Sequence, residues 1–82
     1  MPTVDMIGGL RVVINPNDHR PTHVHVIGNS CEAVFKLNCL EGKPELIENY
    51  NFPASDLSKI RVALTARTAH LCAEWSRIHG LP

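Results

Sequence analysis

Asn17-Asp18-His19-Arg20-Pro21-Thr22-His23-Val24-His25-Val26 leads from a turn into a segment where imidazole and isopropyl side chains alternate. A period of two belongs to an extended strand, whose successive side chains leave opposite faces. The alternation therefore puts Val24 and Val26 on a face to be covered. His23 and His25 share the other face, side by side and turned away from whatever covers the valines.

Upstream of this stretch, Leu10 to Ile14 is a β-branched run that reads as a first strand, preceded by a turn at Gly8-Gly9. Asn15-Pro16-Asn17-Asp18 stops it, because proline lacks a backbone donor and Asn and Asp bond nearby backbone through their side chains. Met1 to Met6 is short and mixed, with no element assigned to it. Downstream, His23 to Ile27 is the second strand, ended by Gly28-Asn29-Ser30. Cys31 to Leu37 follows as a third strand, with Ala33, Phe35 and Leu37 on one face and Glu32, Val34 and Lys36 on the other. After a turn at Glu41-Gly42-Lys43-Pro44, Glu45 to Tyr50 is a weaker, edge-like fourth strand.

From Leu57 the period changes. Leu57, Ile60, Leu64, Thr68, Leu71, Trp75 and Ile78 recur at spacings of three and four, the stripe of one long helix over residues 54–79. Pro53 suits its start, Ser55 its N-cap and Asp56 the positive end of its dipole, while Gly80 and Pro82 close it. A second stripe, Val62, Ala66, Ala69 and Ala73, follows another side of the helix. Alanine there is either a good helix former on a solvated face or a small contact surface for a protein partner or a second copy of the chain.

Composition narrows the function classes. Eighty-two residues make one domain, residues 1–82, with the sheet over 10–50 and the helix over 54–79. Eight Lys and Arg balance eight Asp and Glu, so the formal net charge is zero and non-specific DNA binding is not expected. Residues 31–56 are net acidic and residues 57–82, with Lys59, Arg61, Arg67 and Arg77, net basic, which leaves a partner docking on the basic side as an alternative to a dipolar solvated surface. No apolar run is long enough to span a bilayer and no signal-peptide pattern opens the chain, so a cytoplasmic protein is expected. Cys31, Cys39 and Cys72 are odd in number and form no C-x-x-C pair, so three reduced thiols are the expectation.

The histidine stretch admits two chemistries and one bland reading. Same-face residues on a strand lie ~6.6 Å apart, close enough for His23 and His25 to converge on one ion. With His19 on the turn they offer three nitrogen ligands, and three protein ligands plus water is the arrangement of a catalytic zinc site. Asp18 would then be a fourth ligand or orient a histidine. Without metal, one neutral and one protonated imidazole act as base and acid, as cleavage of RNA through its 2′-hydroxyl requires, with Arg20 or Arg11 stabilising the developing charge. The bland alternative leaves both rings on an open sheet face with no chemistry. Pro2, exposed by removal of Met1, would offer an amine base, although the chain does not otherwise look like a tautomerase.

Met1-Pro2-Thr3, Arg11-Val12-Val13-Ile14, the box from Asn17 to Val26, Glu32-Ala33-Val34-Phe35, Asn49-Tyr50 and Cys72-Ala73-Glu74-Trp75 together resemble a bacterial family known only as domain of unknown function four-one-six-zero. Members usually carry Pro-Pro or Pro-Ala before His-Val-His, and Thr22 departs from that form. The family has no settled activity, so the resemblance assigns no catalytic residue; His19, His23 and His25 match its box. Its genes often lie beside a second small domain in what looks like a toxin-antitoxin pair, some members being regarded as the toxin side. The resemblance thus implies a small protein partner encoded nearby.

These readings converge on an α+β domain, a three- or four-stranded antiparallel sheet packed on one long C-terminal helix. Its core is expected to comprise Val12, Val24, Val26, Phe35, Leu37, Leu57, Ile60, Leu64, Leu71 and Trp75. Its function is either that of an interaction component or that of a small enzyme using His19, Arg20, His23 and His25, with a divalent transition metal such as zinc in the metal-dependent form.

Overall fold

The β-branched runs pair in the simplest way open to them, each strand with its neighbour in sequence. The computed structural model describes residues 3–80. Five strands, β1 (Thr3–Ile7), β2 (Leu10–Val13), β3 (His23–Gly28), β4 (Cys31–Lys36) and β5 (Glu45–Tyr50), form one antiparallel meander in the order β1-β2-β3-β4-β5. Two helices follow, α1 (Ala54–Ala66) and α2 (Thr68–His79).

The fold is α+β as expected, with two corrections to its parts. The sheet has five strands because Thr3–Ile7 pairs with β2 across the Gly8-Gly9 turn. Its mixed side chains gave no pattern, and the backbone ladder to β2 supplies what they lack. The single long helix is two helices, broken at Arg67, whose φ of −112° and ψ of 7° leave the helical region. There the Arg67 amide bonds back three residues to the Leu64 carbonyl. The Thr68 hydroxyl donates to the carbonyls of Leu64 and Thr65, a back-bonding habit of threonine that bends helices. Arg67 also reaches out to Asp5 on β1, 3.1 Å away.

At the helix ends, Pro53 is the N-cap of α1 and no side chain caps it, so Ser55 lies within the first turn instead of capping. Gly80 closes α2 in the left-handed region at φ 67°, as its place in the sequence predicts. Pro82 and Pro2 lie outside the described residues.

The two-residue turn Asn29-Ser30, both at positive φ, joins β3 to β4 and sets their register: Val24 faces Phe35, and Val26 faces Ala33. β3 passes close to Leu10 at Gly28, where a Cβ would meet the end of the Leu10 side chain at 2.6 Å and push it aside. The expected core residues are buried except Leu57, which packs half-buried against the cluster; Ile14, Ala33 and Phe52 join them. Ile60, Leu64, Leu71 and Trp75 carry the helical stripe onto that core.

The thiol expectation is overturned for two cysteines of three. Cys39, in the loop between β4 and β5, is joined to Cys72 on α2 by a disulfide, and Cys31 is free. Spacing along the chain is blind to this pair, which folding brings together across 33 residues, to a Cα separation of 6.2 Å. Among the described residues no helix is long and apolar enough to cross a membrane.

Candidate functional site

β3 carries the site. With Val24 and Val26 buried in the core, the pleat leaves His23 and His25 on the other face, their ring centroids 5.3 Å apart. The loop 15–22 folds back so that Asp18 meets both rings. Asp18 Oδ2 lies 3.2 Å from His23 Nε2 and 3.0 Å from His25 Nε2. The loop is itself held by local bonds, with Asn15 Oδ1 accepting from the Asn17 amide and the Asn15 carbonyl from that of Asp18.

The other nitrogen of each ring is also occupied. His23 Nδ1 donates to the Pro21 carbonyl at 2.7 Å, and His25 Nδ1 donates to Glu32 Oε2 at 3.1 Å. Both acceptors demand a proton on Nδ1, so in the neutral rings each Nε2 presents a lone pair. Two lone pairs and a carboxylate oxygen therefore converge at about hydrogen-bonding distance. Like ends of dipoles crowd unless a proton or a cation sits among them.

A metal ion fits that demand. Asp18, His23 and His25 each offer a ligand atom, all within 4.8 Å of one another. A four-coordinate zinc with bonds of about 2.0–2.1 Å holds its ligand atoms roughly 3.3 Å apart, close to the separations that each ring keeps from Asp18. Glu32 on His25 and the Pro21 carbonyl on His23 stand where outer groups orient histidine ligands and raise their basicity. The neighbouring face is acidic too. On β5 the Tyr50 hydroxyl donates to Glu48 at 2.5 Å, and this bond together with the Glu48 charge pushes the phenol above its ordinary value.

His23 differs from expectation in one respect. Its ring does not stand clear of the tryptophan-bearing helix: the Trp75 ring centroid is 5.2 Å away. His23 is the opening residue of β3, and at this rim of the sheet the indole reaches it. Trp75 stacks in turn on His79 at 3.9 Å, and His79 spans the Trp75 and Asp18 carbonyls at 3.0 and 3.1 Å. The end of α2 thus grips the loop that carries Asp18.

The other candidates fall elsewhere. His19 is exposed and lies outside the Asp18–His23–His25 group, without a hydrogen bond or ion pair among the described residues. Arg20 is exposed and lines a cleft of about 610 Å³, with Thr22, Cys39, Cys72 and Trp75 among the other walls. Arg11 is exposed on β2 opposite Ile27. Val62, Ala66, Ala69 and Ala73 are all exposed, Val62 by 72%.

The model of the family described as Domain of unknown function (DUF4160) matches residues 9–76. The chain belongs to this family. The match takes in β2, the whole histidine box, β4, β5 and α2 as far as Ser76, so His79 lies beyond it. No curated protein and no solved structure matches the chain.

Sequence reasoning did not single out Glu32 or His79. The signal for Glu32 lay in the turn: an Asn29-Ser30 hairpin sets Glu32 opposite Ile27, and its diagonal neighbour on the same face is His25. His79 carried no such signal, since its partner is 61 positions away.

Proposed function

We propose that this DUF4160 domain is a small metal-dependent hydrolase whose ion is held by Asp18, His23 and His25. The observation that carries the reading is the pair of Nδ1 hydrogen bonds, to Pro21 and Glu32, which turn both Nε2 lone pairs onto the Asp18 carboxylate. Such a bound ion would lower the pKa of a water and polarise a carbonyl or phosphoryl oxygen. Three protein ligands leave a position for that water, unlike the closed four-ligand sites that serve structure. The chain's own groups do the rest: Glu32 orients His25, the Pro21 carbonyl orients His23, and Arg20 in the adjoining cleft supplies a cation for an anionic substrate.

The test is calorimetric titration of metal-stripped protein with zinc. One equivalent should bind to the wild type, none to His25→Ala, and Glu32→Gln should bind about 10- to 100-fold more weakly, the usual cost of losing an outer partner. Equal binding by wild type and His25→Ala would overturn the reading. Hydrolysis of RNA and of simple phosphodiesters by the loaded and stripped forms then separates this reading from a metal-free acid–base pair, in which a proton shared among the same three groups replaces the ion.

A second reading, an interaction component of a toxin-antitoxin-like pair, is favoured by a separate observation. Val62 stands out on α1, and Ala66 at the end of α1 and Ala69 and Ala73 on α2 are exposed with it. Ala69→Glu would break an assembly through this stripe, whether with a small protein encoded nearby or with a second copy, and leave the fold intact. Sedimentation and co-purification with the neighbouring gene product read the difference.

A further inference from the structure

The loop between β4 and β5 is tied mostly to itself. The Asn38 carbonyl accepts from the Glu41 and Gly42 amides, and the Asn38 side chain donates to the Lys43 carbonyl. Leu40 at its tip is wholly exposed. Beyond the buried Leu37, the covalent link from Cys39 to Cys72 fastens the tip of this loop to α2. Both cysteines form part of the wall of the 610 Å³ cleft, and Trp75, one turn on from Cys72, forms another part. The same Trp75 packs against His23 and His79. Its indole N–H is buried with no acceptor among the described residues, so the fastened arrangement leaves a polar group unsatisfied that a looser one could hydrate.

We propose that Cys39–Cys72 is a thiol–disulfide exchange site whose reductant is a protein or small-molecule dithiol, and that it controls how α2 seats against the metal-binding residues. The second half rests on the metal reading above. Cys39 is the more exposed residue of the pair and Cys72 the half-buried one, so an incoming thiolate attacks Cys39 Sγ. A mixed disulfide forms at Cys39, the electron pair of the broken bond leaves on Cys72 Sγ, and that thiolate takes up a proton. The second thiol of the reductant then attacks the mixed disulfide and releases Cys39. The dithiol is oxidised to its own disulfide, and the chain gains two electrons and two protons. The loop tip beyond Leu37 is then released from its covalent tie to α2, and the cleft beside Arg20 and Trp75 opens.

The oxidised full chain is treated with dithiothreitol and its free thiols are counted. The count should rise from one, Cys31, to three. Trp75 is the single tryptophan, so its emission reports the seating of α2 directly and should shift to the red on reduction. Protease sites within residues 38–43 should open with it. Zinc affinity is compared between the oxidised wild type and a Cys39→Ser, Cys72→Ser double variant, which avoids metal capture by the reductant. The double variant should bind roughly tenfold more weakly, as when an outer support of a metal site is lost.

A thiol count that stays at one under excess dithiol overturns the exchange site. A count of three with unchanged emission and unchanged proteolysis overturns the control of α2, as does equal zinc affinity in the two forms. If neither form binds zinc, the metal reading falls, while the thiol count and the emission still decide the exchange site. Should the double variant fail to fold by circular dichroism, the wild-type reduction series decides alone.

Discussion

The two faces of β3 are one residue out of step and serve opposite ends. Val24 and Val26 are wholly buried and meet Phe35 and Ala33; His23 and His25, between and beside them, keep part of their rings in solvent and meet Asp18 and Glu32. A strand whose side chains alternate must give both faces something, and a helix layer covers only one. The difference teaches that the site's precision comes from the core. The imidazoles are aimed by a backbone that the valines pin, and a slip of one residue would exchange the two sets.

Truncating the core should therefore hurt most. Trp75→Ala removes the indole that anchors α2 and touches His23, and should cost about 3–5 kcal/mol in a denaturant melt, with zinc affinity falling alongside. Opening the Cys39–Cys72 link, which closes a stretch with a separation of 33 residues, should lower stability by roughly 2–4 kcal/mol on chain-entropy grounds. Val26→Ala against His25→Ala sharpens the comparison most directly. The valine change should cost about 2 kcal/mol and spare metal binding, whereas the histidine change should abolish metal binding and alter stability by less than about 1 kcal/mol. If both changes destabilise equally, the faces are not divided as described.

A smaller effect sits on the helices. Arg77 bonds Glu74 one turn back at 2.6 Å, and this bond holds the Glu74 carboxyl below its ordinary value. A carboxyl lowered on folding stabilises the protein above its unfolded value, and that contribution is lost as the pH falls through the lowered folded value. Melting temperatures of the wild type and Arg77→Ala should therefore differ slightly near pH 7 and converge in acid. Both groups face solvent, so the difference should also shrink with added salt.

Much of this was written in the local sequence. The alternation at His23–Val26, the turn residues Asn29 and Ser30, and the three-four spacing from Leu57 to Ile78 carried β3, β4 and the helical stripe, because each element's own periodicity matched the layer it joined. What stayed hidden was set by partners distant in the chain. β1 exists through its ladder to β2, not through a pattern of its own. The helix break at Arg67 follows from Thr68 back-bonding and the reach to Asp5, neither of which disturbs the hydrophobic spacing. At the site, neighbourhood in sequence placed Asp18, His23 and His25 together, while Glu32 needed the hairpin register and His79 the docked helix.

That last contact bears on the order of assembly. Every ladder in the sheet joins consecutive strands, so the meander can form hairpin by hairpin with little loop entropy to overcome, a topology that favours fast folding. His79, however, clasps the Asp18 carbonyl from 61 positions downstream. The loop bearing Asp18 therefore gains its last hold only when the final turn of α2 has docked, so a chain caught with its sheet complete and its helices loose would carry the histidines without the means to keep their carboxylate in place.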